Sequence, residues 1–352
     1  MSSLFAVGKI KSLEIKNRIV LPPMVCFSFA AENGFVLSKN MNHYEAIAKG
    51  GTGLIIVEAT CVNKSGRLSE DQLGIWSDDY IEGLSKLVRI CHRHNVKVFI
   101  QLHHAGFRTP KSLQDDTITS SDFNDGKISA RALTRDEIHH LEEDFINGAI
   151  RAEKAGFDGV ELHGAHSYLM SQFFSTKVNN RTDEYGGNLD NRLRFTANVL
   201  RRTKEKVKDD FIIGIRMGCN ENGLDSSISM ARAFQNMGMD FLHISTGLDN
   251  TIIDEEVPND FPCNWIVYGS TLIKKHVSIP VIAVKSIRTY EHMEHLISND
   301  LVDLVAIGRP QLADYNFTNS IKERKDFISC IECKPCKWFT NGDYCPRNPS
   351  LL

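Results

Sequence analysis

Phe157-Asp-Gly-Val-Glu-Leu-His163-Gly-Ala-His166-Ser-Tyr168 is the stretch on which the fold turns. A short apolar strand ends directly in two histidines and a tyrosine, spaced by three and two. In a parallel α/β protein the carboxyl end of a strand is where ligands bind and chemistry happens. Imidazole and phenol groups there can hydrogen-bond a ring or pass a proton.

Outward from that strand the same alternation repeats. Ile19–Leu21, 53–57, 96–102, Val160–Leu162, 212–216, 241–245, 280–284 and 302–307 are short apolar runs. Amphipathic stretches lie between them. From Asp79 to Cys91, the residues Ile81, Leu84, Leu87, Val88 and Cys91 share one helical face. Thr134-Arg-Asp-Glu137 is a capping-box pattern opening a helix that reaches about Ala155, and a further helix runs from Asp190 to about Lys208. Eight buried-type strands separated by helices predict a parallel sheet, and the count of eight favours a closed (β/α)8 TIM barrel. The alternative is an open doubly wound sheet, but no Gly-x-Gly-x-x-Gly follows the first strand. Two long connections, Gly106 to Asp136 and Leu248 to Trp265, read as loops over the barrel mouth.

Bulk properties set the frame. The chain has 352 residues, 42% hydrophobic and 24% charged, with a formal net charge of −3. That length supports a large core, and a barrel uses about 250 residues or more as one domain. Mild acidity without a basic run argues against a nucleic-acid partner. The amino terminus lacks a signal-peptide pattern and no window approaches the roughly 18 apolar residues of a membrane span, so a cytoplasmic enzyme is expected. Of nine cysteines, Cys330, Cys333, Cys336 and Cys345 crowd into one segment, which points to a metal or iron–sulfur site ahead of disulfides. The barrel is expected over 1–325 and a cysteine-rich C-terminal segment over 326–352.

In a barrel the strand exits face one another, so distant residues can share a site. Strand one exits at Pro22-Pro23-Met24, where proline costs no ladder donor. Strand three carries Gln101, which offers both donor and acceptor. Strand five carries Arg216, a cation needing an anion or a structural carboxylate if buried. Strands seven and eight end at Val284-Lys285-Ser286 and Ile307-Gly308-Arg309, where barrels often hold phosphate; the plainer reading is a barrel turn with surface cations. Together these groups suit a flat polar heterocycle with a phosphate tail.

On these residues the chain resembles the Old Yellow Enzyme family of flavin oxidoreductases. It is most similar to the barrel domain of the 2,4-dienoyl-CoA reductase and trimethylamine dehydrogenase branch. The resemblance covers nearly the whole chain. It rests on 16–20 leading to Pro23-Met24, on 53–59, on Gln101-Leu-His-His-Ala-Gly106, and above all on 155–169 continuing through Asn180-Arg-Thr-Asp-Glu-Tyr-Gly-Gly187 to Asn191-Arg192. The resemblance implies an FMN-containing barrel that accepts hydride from NADH or NADPH and passes it to an activated alkene or similar small-molecule acceptor. It places Pro23, Met24 and Ala59 along the flavin, and Gln101 and Arg216 on its pyrimidine edge. Lys285, Ser286, Gly308 and Arg309 would hold its phosphate. His163 and His166 match a substrate-binding pair, and Tyr168 matches the residue proposed to protonate the substrate carbon.

Three departures stand out. Many relatives have two glycines where this chain has Lys285-Ser286. A cysteine that some members place directly after the strand-one methionine is displaced here to Cys26, and a one-residue shift along a strand reverses the face. Cys330, Cys333, Cys336 and Cys345 match the region where the branch binds a [4Fe–4S] cluster, with a shorter last interval; four thiolates also suit zinc. Because the sequence stops at Leu352, the FAD and NAD domains that follow in that branch are expected to be absent. A cluster would then need a separate electron-donor protein or be a structural remnant. The competing expectation is thus an electron-transfer subunit working through the cluster. Oligomeric state is open, with a homo-oligomer among the options.

Overall fold

The computed structural model describes residues 2–340 and 345–348. Eight parallel strands close a barrel in sequential order: β1 (Ile19–Leu21), β2 (Leu54–Cys61), β3 (Lys97–His103), β4 (Gly159–Gly164), β5 (Ile212–Gly218), β6 (Leu242–Ser245), β7 (Val281–Val284) and β8 (Leu304–Ala306). All eight expected runs are barrel strands. The helices that follow them include α1 (Ser38–Lys49), α2 (Ile81–His92), α3 (Arg135–Ala155), the short α4 (Leu169–Phe174) and α5 (Leu189–Lys204). Next come α6 (Leu224–Met237), α7 (Trp265–Lys274) and α8 (Tyr290–Ser298).

Local chemistry sets these boundaries. Thr134 accepts from the Glu137 backbone at 3.2 Å while the Glu137 carboxylate accepts from the Thr134 backbone at 2.8 Å, the reciprocal cap read from the sequence. Gly156, at φ 93°, ends α3 in the left-handed region. Helix α5 starts where Asn188 accepts from Asn191 N–H and stops at Lys204, four residues short of the sequence estimate.

Two hydrophobic layers result. The larger lies between strands and helices and includes Leu84, Leu87, Val88 and Cys91 of α2. The smaller fills the barrel's interior, where Phe99 stacks on Phe241 with ring centroids 5.5 Å apart. An antiparallel hairpin, Gly8–Ile10 with Leu13–Ile15, adds Ile10 and Ile15 to this inner layer. Its two strands are interrupted by the exposed Lys9 and Glu14, so they form no apolar run of the kind that marks the barrel strands. The Gly106–Asp136 connection is more ordered than a loop, since it contains a small three-stranded sheet of Ile118–Thr119, Phe123–Asn124 and Ser129–Ala132. Beyond the barrel, the chain docks back on it: Trp338 is buried and donates to the Val25 carbonyl at 3.0 Å, and Asn348 donates to Leu312 at 2.8 Å.

Candidate active site

At the carboxyl ends of the strands lies a cavity of about 490 Å³, within the range of cofactor and ligand sites. All eight strand ends contribute to it. Pro23, Met24, Ala59, Gln101, His163, His166, Tyr168, Arg216, Lys285, Ser286, Gly308 and Arg309, the residues singled out from sequence, all line it. Ala59 reaches it from a register shift in β2 between Val57 and Thr60, a bulge that re-aims side chains. Gly308 keeps the wall thin, because a Cβ there would meet Met24 Sδ at 2.8 Å.

A polar floor underlies this cavity. Gln101 Nε2 donates to Glu161 Oε1 at 2.7 Å, and His243 Nδ1 lies 2.7 Å from Glu161 Oε2. Beside them runs a chain of contacts: Arg216 donates to Ser245 Oγ at 3.3 Å, Ser245 Oγ meets His166 Nε2 at 2.7 Å, and His166 Nδ1 faces His163 Nε2 at 3.4 Å. His163 Nδ1 and Arg216 Nε are buried with no partner among the described residues. Burial, reinforced by neighbouring cations, holds both His163 and His166 well below the usual imidazole range, so both stay neutral. The Tyr168 ring stands edge-on to His163 at 4.8 Å and to His103 at 4.4 Å. Its phenol is pushed up by burial, while Arg108 and Arg216 pull the other way.

The far wall is cationic. Lys285 and Ser286 adopt left-handed backbone, φ 101° and 56°, which is the conformation glycine takes most readily. Lys285 is pushed down by burial and by Arg216 and Arg309. Neither Lys285 nor Arg309 forms an ion pair among the described residues, whereas Arg288 pairs with Glu332. Among the described residues, no carboxylate side chain lines the cavity there.

These features fit FMN. Arg216 Nε is an orphaned donor and His163 Nδ1 an unpartnered ring nitrogen, Gln101 offers an amide edge, and crowded unpaired cations call for an anion such as phosphate.

Several contributors had no individual sequence signal. Glu161, His243 and Ser245 act only across strands, and Arg108 reaches the mouth by donating to Ser167 Oγ at 3.2 Å. Ser167 in turn donates to the Leu248 carbonyl, tying the two mouth segments together. Arg181 of the Asn180–Gly187 motif proves structural: it grips Asp183 and donates to the carbonyls of Ser120 at 2.7 Å and Leu133 at 2.6 Å. Cys26 is buried beside Glu58 and Tyr44 and does not line the cavity. Cys330, Cys333, Cys336 and Cys345 together border a smaller neighbouring cavity, and Cys336 borders both. Among the described residues, however, no three His, Cys, Asp or Glu side chains stand in an arrangement ready to hold a metal.

Comparison with known proteins agrees with this geometry. The profile of the NADH:flavin oxidoreductase / NADH oxidase family matches residues 3–326. The chain is 37% identical to the NADH oxidase of Thermoanaerobacter brockii over 94% of its own length, but spans only 52% of that protein. It is 36% identical to the NADPH dehydrogenase of Bacillus velezensis, over 90% of this chain and 93% of that one. An old yellow enzyme homologue from Zymomonas mobilis superposes with a TM-score of 0.79 at 25% identity, covering 93% and 94% of the two chains. A 2-naphthoyl-CoA reductase in complex with 2-naphthoyl-CoA shares the fold at a TM-score of 0.89 and 22% identity, over 99% of this chain and 57% of that one. No helix among the described residues is long and apolar enough to cross a membrane. The chain belongs to the NADH:flavin oxidoreductase / NADH oxidase family of FMN-dependent oxidoreductases.

Proposed function

We propose that this protein takes hydride from NADH or NADPH and delivers it to an activated alkene of the enone or enoyl type. The observation that carries this reading is the meeting of Tyr168, His163 and His166 with Gln101, Arg216 and the Lys285–Arg309 wall in one cavity. Pro23, Met24 and Ala59 would flank FMN, Gln101 and Arg216 would bond its pyrimidine edge, and Lys285, Ser286, Gly308 and Arg309 would hold its phosphate. When bound, FMN supplies two-electron chemistry that links nicotinamide to acceptor.

The chain's own groups do the rest. Hydride addition builds enolate-like charge on the acceptor's oxygen, and a neutral imidazole N–H donor placed there lowers the barrier. The order Arg216 to Ser245 to His166 to His163 keeps each ring's proton assigned, leaving His163 Nδ1 as the unmatched donor. Tyr168 would give the substrate carbon its proton: its high pKa keeps the proton in place until basicity develops on the substrate.

A second element rests on Cys330, Cys333, Cys336 and Cys345 around one cavity adjoining the first. We infer that Cys330, Cys333, Cys336 and Cys345 would hold a [4Fe–4S] cluster if they drew closer together than they stand in this structure, and that a cluster there would call for an electron-donor protein. None of the nine cysteines is tied up in a disulfide, so all four of this segment are available as thiolate ligands. Purified under anaerobic conditions, the protein should carry one FMN, with about four iron and four sulfide. Colourless protein that takes up no FMN would exclude the main reading; yellow protein with zinc or no metal would exclude only the cluster.

A further inference from the structure

The floor of the cavity is two side-chain layers deep. Barrel interiors stack side chains from alternate strands, odd over even. The upper polar pair, Gln101 and Arg216, comes from β3 and β5, and the lower pair, Glu161 and His243, from β4 and β6. In register, Gln101 stands opposite Glu161, Arg216 opposite His243, and Glu161 opposite Gly214. Gly214 has no side chain to intervene, and the Phe241 ring occupies the space where its Cβ would go, 2.2 Å away at the nearest atom. Glu161 on β4 can therefore reach across β5 to His243 on β6, and both oxygens of this fully buried group are engaged at 2.7 Å.

Two consequences follow. An acceptor-only carboxylate selects the Nε2 end of the Gln101 amide, so its carbonyl end is the one left for the cavity. Arg216 is buried with a hydroxyl as its hydrogen-bond partner and, among the described residues, no carboxylate paired with it. Burial pulls the Arg216 guanidinium below its ordinary value, and Glu161, ahead of Tyr168, is the neighbour that favours its charged form.

We propose that Glu161, anchored by His243, is a positioning residue that orients Gln101, counters the charge of Arg216, and thereby sets the reduction potential of the bound flavin. This rests on the FMN reading above. Reduction adds negative charge beside Gln101 and Arg216, and a fixed anion below them opposes it. Removing that anion should raise the potential. Removing only its anchor should leave the anion less compensated and lower the potential.

Midpoint potentials of the FMN-loaded, full-length protein test this, alongside FMN dissociation constants and thermal melts. Glu161→Gln should shift the reduction equilibrium at least tenfold toward the reduced form, about 30 mV for a two-electron couple. Glu161→Asp should bring it back to within threefold of the parent. His243→Leu should shift it at least threefold the other way. A general loosening of the floor would move Glu161→Gln and His243→Leu in the same direction, and that outcome overturns the proposal. Potentials unchanged within threefold in both overturn it equally. If Glu161→Gln fails to retain FMN, the sign of the His243→Leu shift decides alone. A parent protein that binds no FMN refutes the underlying reading and not merely this role.

Discussion

The two ends of the barrel are built from the same strands and do opposite work. Phe99 and Phe241 fill the interior toward the amino ends. Two residues later, Gln101 and His243 occupy the same inward face of the same strands, joined by Glu161 between them. A step of two residues is roughly 7 Å along a strand. Over that distance the interior passes from hydrocarbon to a hydrogen-bonded network under a cationic cavity. Packing and chemistry are thus separated along the barrel axis, and a substitution in the hydrocarbon layer should leave the chemistry intact.

The largest effect expected is at the mouth. Tyr168→Phe should slow alkene reduction by about 10²- to 10⁴-fold, the range for a lost general acid. Flavin reduction by NAD(P)H and the melting temperature should not change. Equal slowing of both half-reactions would remove Tyr168 from the proton-donor role. At the other end, Phe241→Ala should cost about 3–5 kcal/mol of stability through the lost stack and its cavity, measured by denaturant unfolding. The folded fraction should keep its half-reaction rates, and a matching loss of chemistry would break the separation.

An intermediate effect comes from pH. Burial holds His103 at about 3 and His104 at about 4 near the mouth, and His43 at about 3 behind β1. Unfolded imidazoles titrate near 6.5. As pH falls below that value the unfolded chain gains protons the fold excludes, so stability falls. Each such group should remove about 1.4 kcal/mol by pH 5.5. Glu58 and Glu221, raised to about 7 by burial, work in the opposite sense and offset part of the loss. The imidazoles outnumber them, since His163, His166 and His243 are also held low by burial. Urea midpoints should therefore be lower at pH 5.5 than at pH 7.5, with the slope reduced in His103→Leu. A midpoint that rises instead would mean the buried carboxyls dominate. The smallest effect is remote from both ends: Thr134→Ala, which removes the α3 cap, should cost about 1 kcal/mol and leave every rate unchanged.

What could be read from sequence follows the same division. Strand periodicity and the α3 capping box are local signals, so the barrel and its helices were legible. So were the side chains at strand exits, because a barrel brings every exit to one mouth whatever the intervening sequence. Contacts that cross strands were not legible. Glu161 looked like one polar residue in an apolar run, and only closure of the barrel gives it Gln101 on one side and His243 on the other. Arg181 sits in the most recognisable motif, yet its carbonyl partners at Ser120 and Leu133 lie 61 and 48 residues away. The Lys285-Ser286 departure became intelligible only through its left-handed backbone, which asks two side chains to adopt what glycine adopts freely. For Cys330, Cys333, Cys336 and Cys345 the spacing could be read, but each of these four residues lies outside any strand or helix that would fix its thiol.

The most direct measurement follows both half-reactions on one sample by anaerobic double-mixing stopped flow. Bound flavin should bleach on mixing with NADH or NADPH and regain its absorbance when an α,β-unsaturated ketone is added, with stoichiometric loss of the double bond. A flavin that NAD(P)H leaves oxidised, or that once reduced is not reoxidised by any activated alkene, would contradict the central claim.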